Sequence, residues 1–188
     1  MKAKDLLEKC LQTENLIKHS YAVEAVMRAL AQRLEPAKED DWALAGLLHD
    51  IDIDILDYKN KSEQKKYHGL RSAEIVAEND LGNEYVWQAI KSHNGEVNGT
   101  PRTSIIDKAL YAVDPITGFI TAIALIYPDK KLSSVKVKSI TKRMKEKAFA
   151  AGANREAMMS IEELGIPFAE FAKLSLEAMT GISDKLGL

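Results

Sequence analysis

The sequence predicts an all-α protein: a single-domain helical bundle with extra helices at its C-terminal end. Three observations carry that prediction. Apolar residues recur at helical spacing through most of the 188 residues. Glycine and proline fall mainly between the periodic segments, where they act as breakers. No stretch reads convincingly as a strand.

Taken in order, residues 12–34 form the first clear helix, with Leu16, Val23, Val26, Met27, Leu30 and Leu34 on one face. Glu39, Asp40 and Asp41 place acids in the first turn of a second helix, where the helix dipole favours them. That helix continues through Trp42, Leu44, Leu47 and Leu48, and the run 51–54 reads as a restart. A polar stretch at 58–67 reads as a loop or short helix. Helices follow at about 68–79 and 83–93, then a loop at 94–101 marked by Gly95, Gly99 and Pro101. A long helical pattern spans 103–126. Pro115 lies inside it and is expected to kink or restart the helix directly after Asp114. The remainder predicts helices at 135–150, at 154–164, and from Pro167 onward, where proline suits a first turn.

Composition narrows the function classes. Hydrophobic content of 46% and charged content of 29% are ordinary for a soluble globular chain. A net charge of −2 gives no general attraction to nucleic acid or to an acidic membrane. No apolar run approaching transmembrane length is apparent, and the N-terminal residues are charged throughout, unlike a signal peptide. With one cysteine, Cys10, there is no intrachain disulfide. The expected location is the cytoplasm. Lysines crowd residues 130–147, and a solvated helical face is the expectation there. Without interleaved aromatics they do not form a base-stacking platform.

The four histidines, His19, His49, His68 and His93, are the candidate functional residues. His19 shares a face with Val23, Val26 and Leu30, and His93 with Val86 and Ile90, so both point inward. Asp114 follows Ile106 and Leu110 and also faces the core. A carboxylate is almost never buried without a partner, because desolvation costs several kcal/mol or neutralises it. A metal ion satisfies imidazoles and carboxylates together. His49 and Asp50 are adjacent, so they reach one point only at a helix end or break. Mixed His/Asp donors suit Zn, Fe, Mn, Co or Ni better than Ca or Mg.

The ordered set His19, His49-Asp50, His68, His93, Asp114 resembles the HD superfamily of metal-dependent phosphohydrolases, and more narrowly the small bacterial HDIG-type proteins. The resemblance covers roughly residues 19–114 by motif. It implies an HD core at 1–128 and a C-terminal helical extension at 129–188 packed on the same domain. It implies that His19, His49, Asp50 and Asp114 hold a first divalent transition metal ion. His68 and His93 match the two extra positions of binuclear members, with Asp50 bridging as the catalytic residue. Two departures stand out. Asp52 replaces the glycine of His-Asp-Ile-Gly, a change expected to matter little for ligation. Residues 51–57 carry acids and no lysine, leaving the family's usual phosphate contact without a counterpart.

The expected activity is hydrolysis of a phosphate ester or anhydride of a nucleotide or small organic molecule. A diiron oxygenase on the same ligand set and a non-catalytic HD sensing module are the alternatives. A structural metal fits poorly, since such sites are usually closed and sulfur-rich. Arg71 and Thr117 are the candidate substrate-binding residues, at His68+3 and Asp114+3. Gly118 could permit close approach, and Lys147 and Arg155 could close over the site. Oligomeric state is left unassigned.

Overall fold

The computed structural model describes residues 2–56 and 64–188, which form eleven α-helices and, among the described residues, no strand. In chain order these are α1 (Ala3–Cys10), α2 (Glu14–Leu34), α3 (Glu39–Leu48), α4 (Leu70–Glu78), α5 (Glu84–His93), α6 (Gly95–Asn98), α7 (Ile105–Leu125), α8 (Val137–Met144), α9 (Arg155–Met159), α10 (Phe168–Thr180) and α11 (Ser183–Leu186). The all-α class follows directly from the helical periodicity.

Helix α7 is the axis of the bundle. Ser104 caps its start in a reciprocal capping box with Asp107, satisfying orphan backbone donors. Twelve of its residues are buried, including Ile106, Leu110, Val113, Phe119 and Ile120. By length and composition alone it could cross a membrane, a reading the sequence did not suggest. More than half of its apolar window is nevertheless buried inside the protein, and α2, α5, α9 and α10 pack around it. The expected restart at Pro115 does not occur, and α7 runs through it. Proline inside a helix costs about 3 kcal/mol, and the burial of Val113, Ile116 and Phe119 on either side outweighs that cost.

Helices α2 and α3 form the most extensive helix pair, and a glycine sets their distance. A Cβ on Gly46 would lie 3.0 Å from the Val23 carbonyl oxygen and from Met27 Cγ. Only glycine lets α3 approach α2 this closely, and that approach brings the end of α3 beside His19.

Other boundaries differ from expectation for identifiable reasons. Residues 51–56 form successive turns rather than a helical restart. Asp52 and Asp54 face other segments there: Asp54 accepts from the backbone N–H groups of Gln12 (2.7 Å) and Thr13 (2.9 Å), holding the entry to α2. Of the polar stretch 58–67, residues 58–63 lie outside those described, and Gln64–Lys66 is a 3-10 turn. The expected loop 94–101 contains the single turn α6, ended by Gly99 at φ 81°. The helix expected at 135–150 stops at Met144. Beyond it the Arg155 guanidinium donates to the carbonyls of Met144, Glu146, Phe149, Ala150 and Ala153, folding that loop around one side chain. Arg155 is therefore a structural hub rather than a lid residue. Lys147 is exposed, as are Lys130, Lys131, Lys136, Lys138, Lys142 and Lys145, which is the solvated face expected of this segment.

Two helical glycines should respond oppositely to alanine. A helix-interior glycine ordinarily destabilises by about 0.5–1 kcal/mol relative to alanine. Gly118 is exposed in α7, and an added methyl there would meet nothing within 4 Å, so Gly118→Ala should raise the melting temperature by a few degrees. Gly46→Ala should lower it, because overpacking costs about 1–3 kcal/mol. Thermal unfolding followed by circular dichroism measures both.

Candidate metal centre

The centre lies where five helices meet. His19 projects from α2, His49 caps the C-terminal end of α3, and Asp50 occupies the turn that follows. His68 precedes α4, His93 is the last residue of α5, and Asp114 sits midway along α7. The adjacency of His49 and Asp50 is thus resolved at a helix end. The six side chains converge in two groups: His19, His49, Asp50 and Asp114, and Asp50, His68 and His93. Asp50 belongs to both. Its Oδ1 lies 3.3 Å from His49 Nε2, 3.3 Å from His68 Nε2 and 3.4 Å from His93 Nε2. Its Oδ2 lies 3.6 Å from His19 Nε2. Asp114 Oδ1 is 3.1 Å from His19 Nε2 and 3.8 Å from His49 Nε2.

The hydrogen bonds of the other ring nitrogen fix each tautomer. His49 Nδ1 lies 2.9 Å from the Gly46 carbonyl and His93 Nδ1 lies 2.6 Å from the Ile90 carbonyl. A carbonyl only accepts, so both Nδ1 atoms carry hydrogen and Nε2 presents its lone pair. Each bond also satisfies a carbonyl left over in the last turn of a helix. His68 Nδ1 donates to Asp52 Oδ1 at 2.8 Å. The Thr117 hydroxyl donates to the Asp114 carbonyl at 3.0 Å and lies 3.1 Å from His19 Nδ1, so it accepts from that ring. All four rings therefore present Nε2 toward the two carboxylates.

This arrangement fits a metal. His49 Nε2 is fully buried with no hydrogen-bond partner. His93 Nε2 and His68 Nε2 face each other at 3.0 Å, and two such lone pairs repel unless a cation lies between them. Donors bound to one ion at roughly 2.1 Å sit about 3.0–3.4 Å apart, and most of the separations above fall close to that range. The electrostatics agree. Burial pushes His49 toward the neutral form, but Asp50 and Asp114 outweigh it and raise the ring to about 9. Burial opposes ionisation of both carboxylates as well, yet the neighbouring imidazoles hold Asp50 and Asp114 well below the usual range. A field that favours a proton on His49 equally favours a divalent cation.

The site is closed on one side and open on the other. His49 is inaccessible, whereas the side chains of His19 and Asp114 are 20% and 37% exposed. Asp114 thus sits at the mouth rather than deep in the core. Thr117 is buried, and its hydroxyl is engaged in orienting His19, a role its expectation as a substrate-binding residue did not include. Arg71, the other candidate substrate-binding residue, stands near the start of α4. Its guanidinium pairs with Glu74 and Glu78, both at 3.1 Å, along the exposed side of α4.

Sequence reasoning missed two supports. Asp52 is fully buried and, besides holding His68, accepts from the backbone N–H groups of Gly69 (2.8 Å) and Ser72 (3.2 Å). Its flanking isoleucines gave no signal, since Asp54 stands between Ile53 and Ile55 and is exposed. Asn94 and Asn98 donate to the His68 carbonyl at 3.3 and 3.1 Å, fixing that residue's backbone.

Replacing Asp50 with Ala should abolish binding in both groups, and His49→Ala in the first group alone. Thr117→Val should weaken the first group by about 10–100-fold, the usual effect of losing an orienting partner. Isothermal titration with Zn²⁺ or Mn²⁺ reads all three.

A family model described as the HD domain matches residues 16–124, a span that includes all six converging side chains. No curated protein and no solved structure matches the chain significantly. The matched span is more than half of the chain and agrees with its all-α fold, and the chain belongs to the HD-domain family.

Proposed function

We propose that the protein is a metal-dependent phosphohydrolase acting on a phosphate ester or anhydride of a nucleotide or small organic molecule. The observation that carries this reading is Asp50, which belongs to both groups: its Oδ1 lies beside His49, His68 and His93 and its Oδ2 beside His19. A carboxylate so placed suits a pair of divalent transition ions, whether Zn, Mn, Fe, Co or Ni. Such ions supply Lewis acidity to a phosphoryl oxygen and lower the pKa of water toward neutrality.

The protein's own groups supply the rest. His49, His93 and the carbonyls behind them form a rigid, water-excluded floor. His19 and Asp114 form the accessible rim, where a phosphate can approach. A cavity of about 360 Å³ adjoins that rim, lined by Asn15, Lys18, His19, Thr117, Gly118 and Leu125 among others. Its size is suited to a small organic group. Lys18 lines this cavity and is the cation there that can meet a phosphate. Its ammonium pairs with Glu14 at 2.7 Å across the surface, a partner a phosphate can displace at little cost because exposed ion pairs are weak.

The test is phosphate or nucleotide release from a panel of phosphomonoesters, nucleoside phosphates and dinucleoside polyphosphates. Turnover should require added metal and vanish in Asp50→Ala. A fully loaded protein that turns over no member of the panel would overturn the proposal. So would dioxygen consumption with a mixed-valent diiron signal, the mark of the oxygenase alternative.

The cavity makes a separate prediction. Gly118→Phe should fill it, lowering kcat/KM about tenfold or more with metal content unchanged. Gly118→Ala should leave turnover nearly as it was. Steady-state kinetics beside metal analysis distinguishes the two.

A further inference from the structure

We infer that Asp52 is a positioning residue of the metal centre, holding His68 in the tautomer and orientation that direct its Nε2 at the group formed with Asp50 and His93. Among the four imidazoles, three direct Nδ1 at neutral oxygens: the Thr117 hydroxyl and the carbonyls of Gly46 and Ile90. His68 alone directs it at a carboxylate. A carboxylate behind a ligating imidazole fixes its tautomer and makes the far nitrogen a stronger donor. The inference rests on the reading of the six side chains as a metal centre, and it assigns the affinity of the second group to a residue outside that set.

The division of labour within the Asp52 carboxylate makes the role separable. Among the described residues, Oδ1 takes only the His68 hydrogen bond, at 2.8 Å. Oδ2 takes the backbone N–H groups of Gly69 at 2.8 Å and Ser72 at 3.2 Å, at the start of α4. The Ser72 hydroxyl returns a bond to the Asp52 backbone N–H, as acceptor, at 3.2 Å. One oxygen thus orients the ligand and the other ties down the helix that follows it. Gly69 cannot yield, since it sits at φ 79° and a Cβ there would meet the Ile90 carbonyl oxygen at 2.9 Å and His93 Cε1 at 3.0 Å. The geometry of His68 is therefore set from Asp52 and braced against the very residues that hold His93.

Asp52→Asn separates the two roles. The amide oxygen can keep both backbone bonds, so α4 stays anchored. The amide nitrogen then faces His68 Nδ1 as a donor, which requires that ring to accept there and to carry its hydrogen on Nε2. A ring in that tautomer is a poor ligand. The experiment is Zn²⁺ and Mn²⁺ titration of wild type, Asp52→Asn and His68→Ala, with metal content per chain after dialysis. The expected result is that Asp52→Asn keeps the first class of site and binds at the second about 10–100-fold more weakly, approaching His68→Ala. Two tight ions in Asp52→Asn, as in wild type, would overturn the inference. A wild type that binds no metal would instead overturn the metal-centre reading, so the two failures are distinct. Should Asp52→Asn not fold, the wild-type protein decides. Long-range ¹H–¹⁵N spectra, with the His68 signal identified by its loss in His68→Gln, should place the neutral-ring hydrogen on Nδ1. Hydrogen on Nε2 would refute the role.

Discussion

Everything about this centre depends on how the imidazoles are held from behind. A histidine can donate from either ring nitrogen, and only a fixed hydrogen bond at Nδ1 commits Nε2 to the interior. Here four different acceptors make that commitment: the Thr117 hydroxyl, the Gly46 carbonyl, the Asp52 carboxylate and the Ile90 carbonyl. The consequence is a cluster of four lone pairs around two carboxylates, an assembly that is electrostatically tolerable only with a cation or protons among them. The raised ring of His49 and the lowered carboxyls of Asp50 and Asp114 express the same constraint.

The fold serves that constraint economically. Two of the acceptors are carbonyls in the last turns of α3 and α5, groups that would otherwise lack a partner. Ending each helix with a histidine therefore solves a backbone problem and builds a ligand in one step. The turns after α3 do similar double duty. Asp54 secures the entry to α2, which carries His19, and Asp52 secures the start of α4 and the ring of His68. The close approach of α2 and α3 at Gly46 then brings the pieces together. Asp52 and Asp54 are thus scaffold for two ligand-bearing segments.

Much of this was legible because it is local. The 3.6-residue period places His19, His93 and Asp114 on apolar faces, and adjacent His49-Asp50 demands a helix end, which is where α3 stops. What was not legible depended on distant partners. The sequence spacing of Arg71 does not say which neighbours it meets, and its pairing with Glu74 and Glu78 is read only from the folded side chains. Asp52 reads as an ordinary acid until residues 68–72 fold against it. The helix expected through residue 150 fails because Arg155 offers the backbone of that loop a better set of donors than continued helix would.

By itself the sequence determined the helical class, the HD ordering of histidines and aspartates, and the inward direction of His93. These follow from side-chain chemistry and short-range periodicity, which need no knowledge of the rest of the chain. The tertiary structure decided which nitrogen each ring presents and which residues stand behind them. Thr117 meets His19 across 98 positions and Asp52 meets His68 across 16. A hydrogen bond is fixed to a few tenths of an ångström, and no local pattern specifies a contact that precise between residues brought together only by packing.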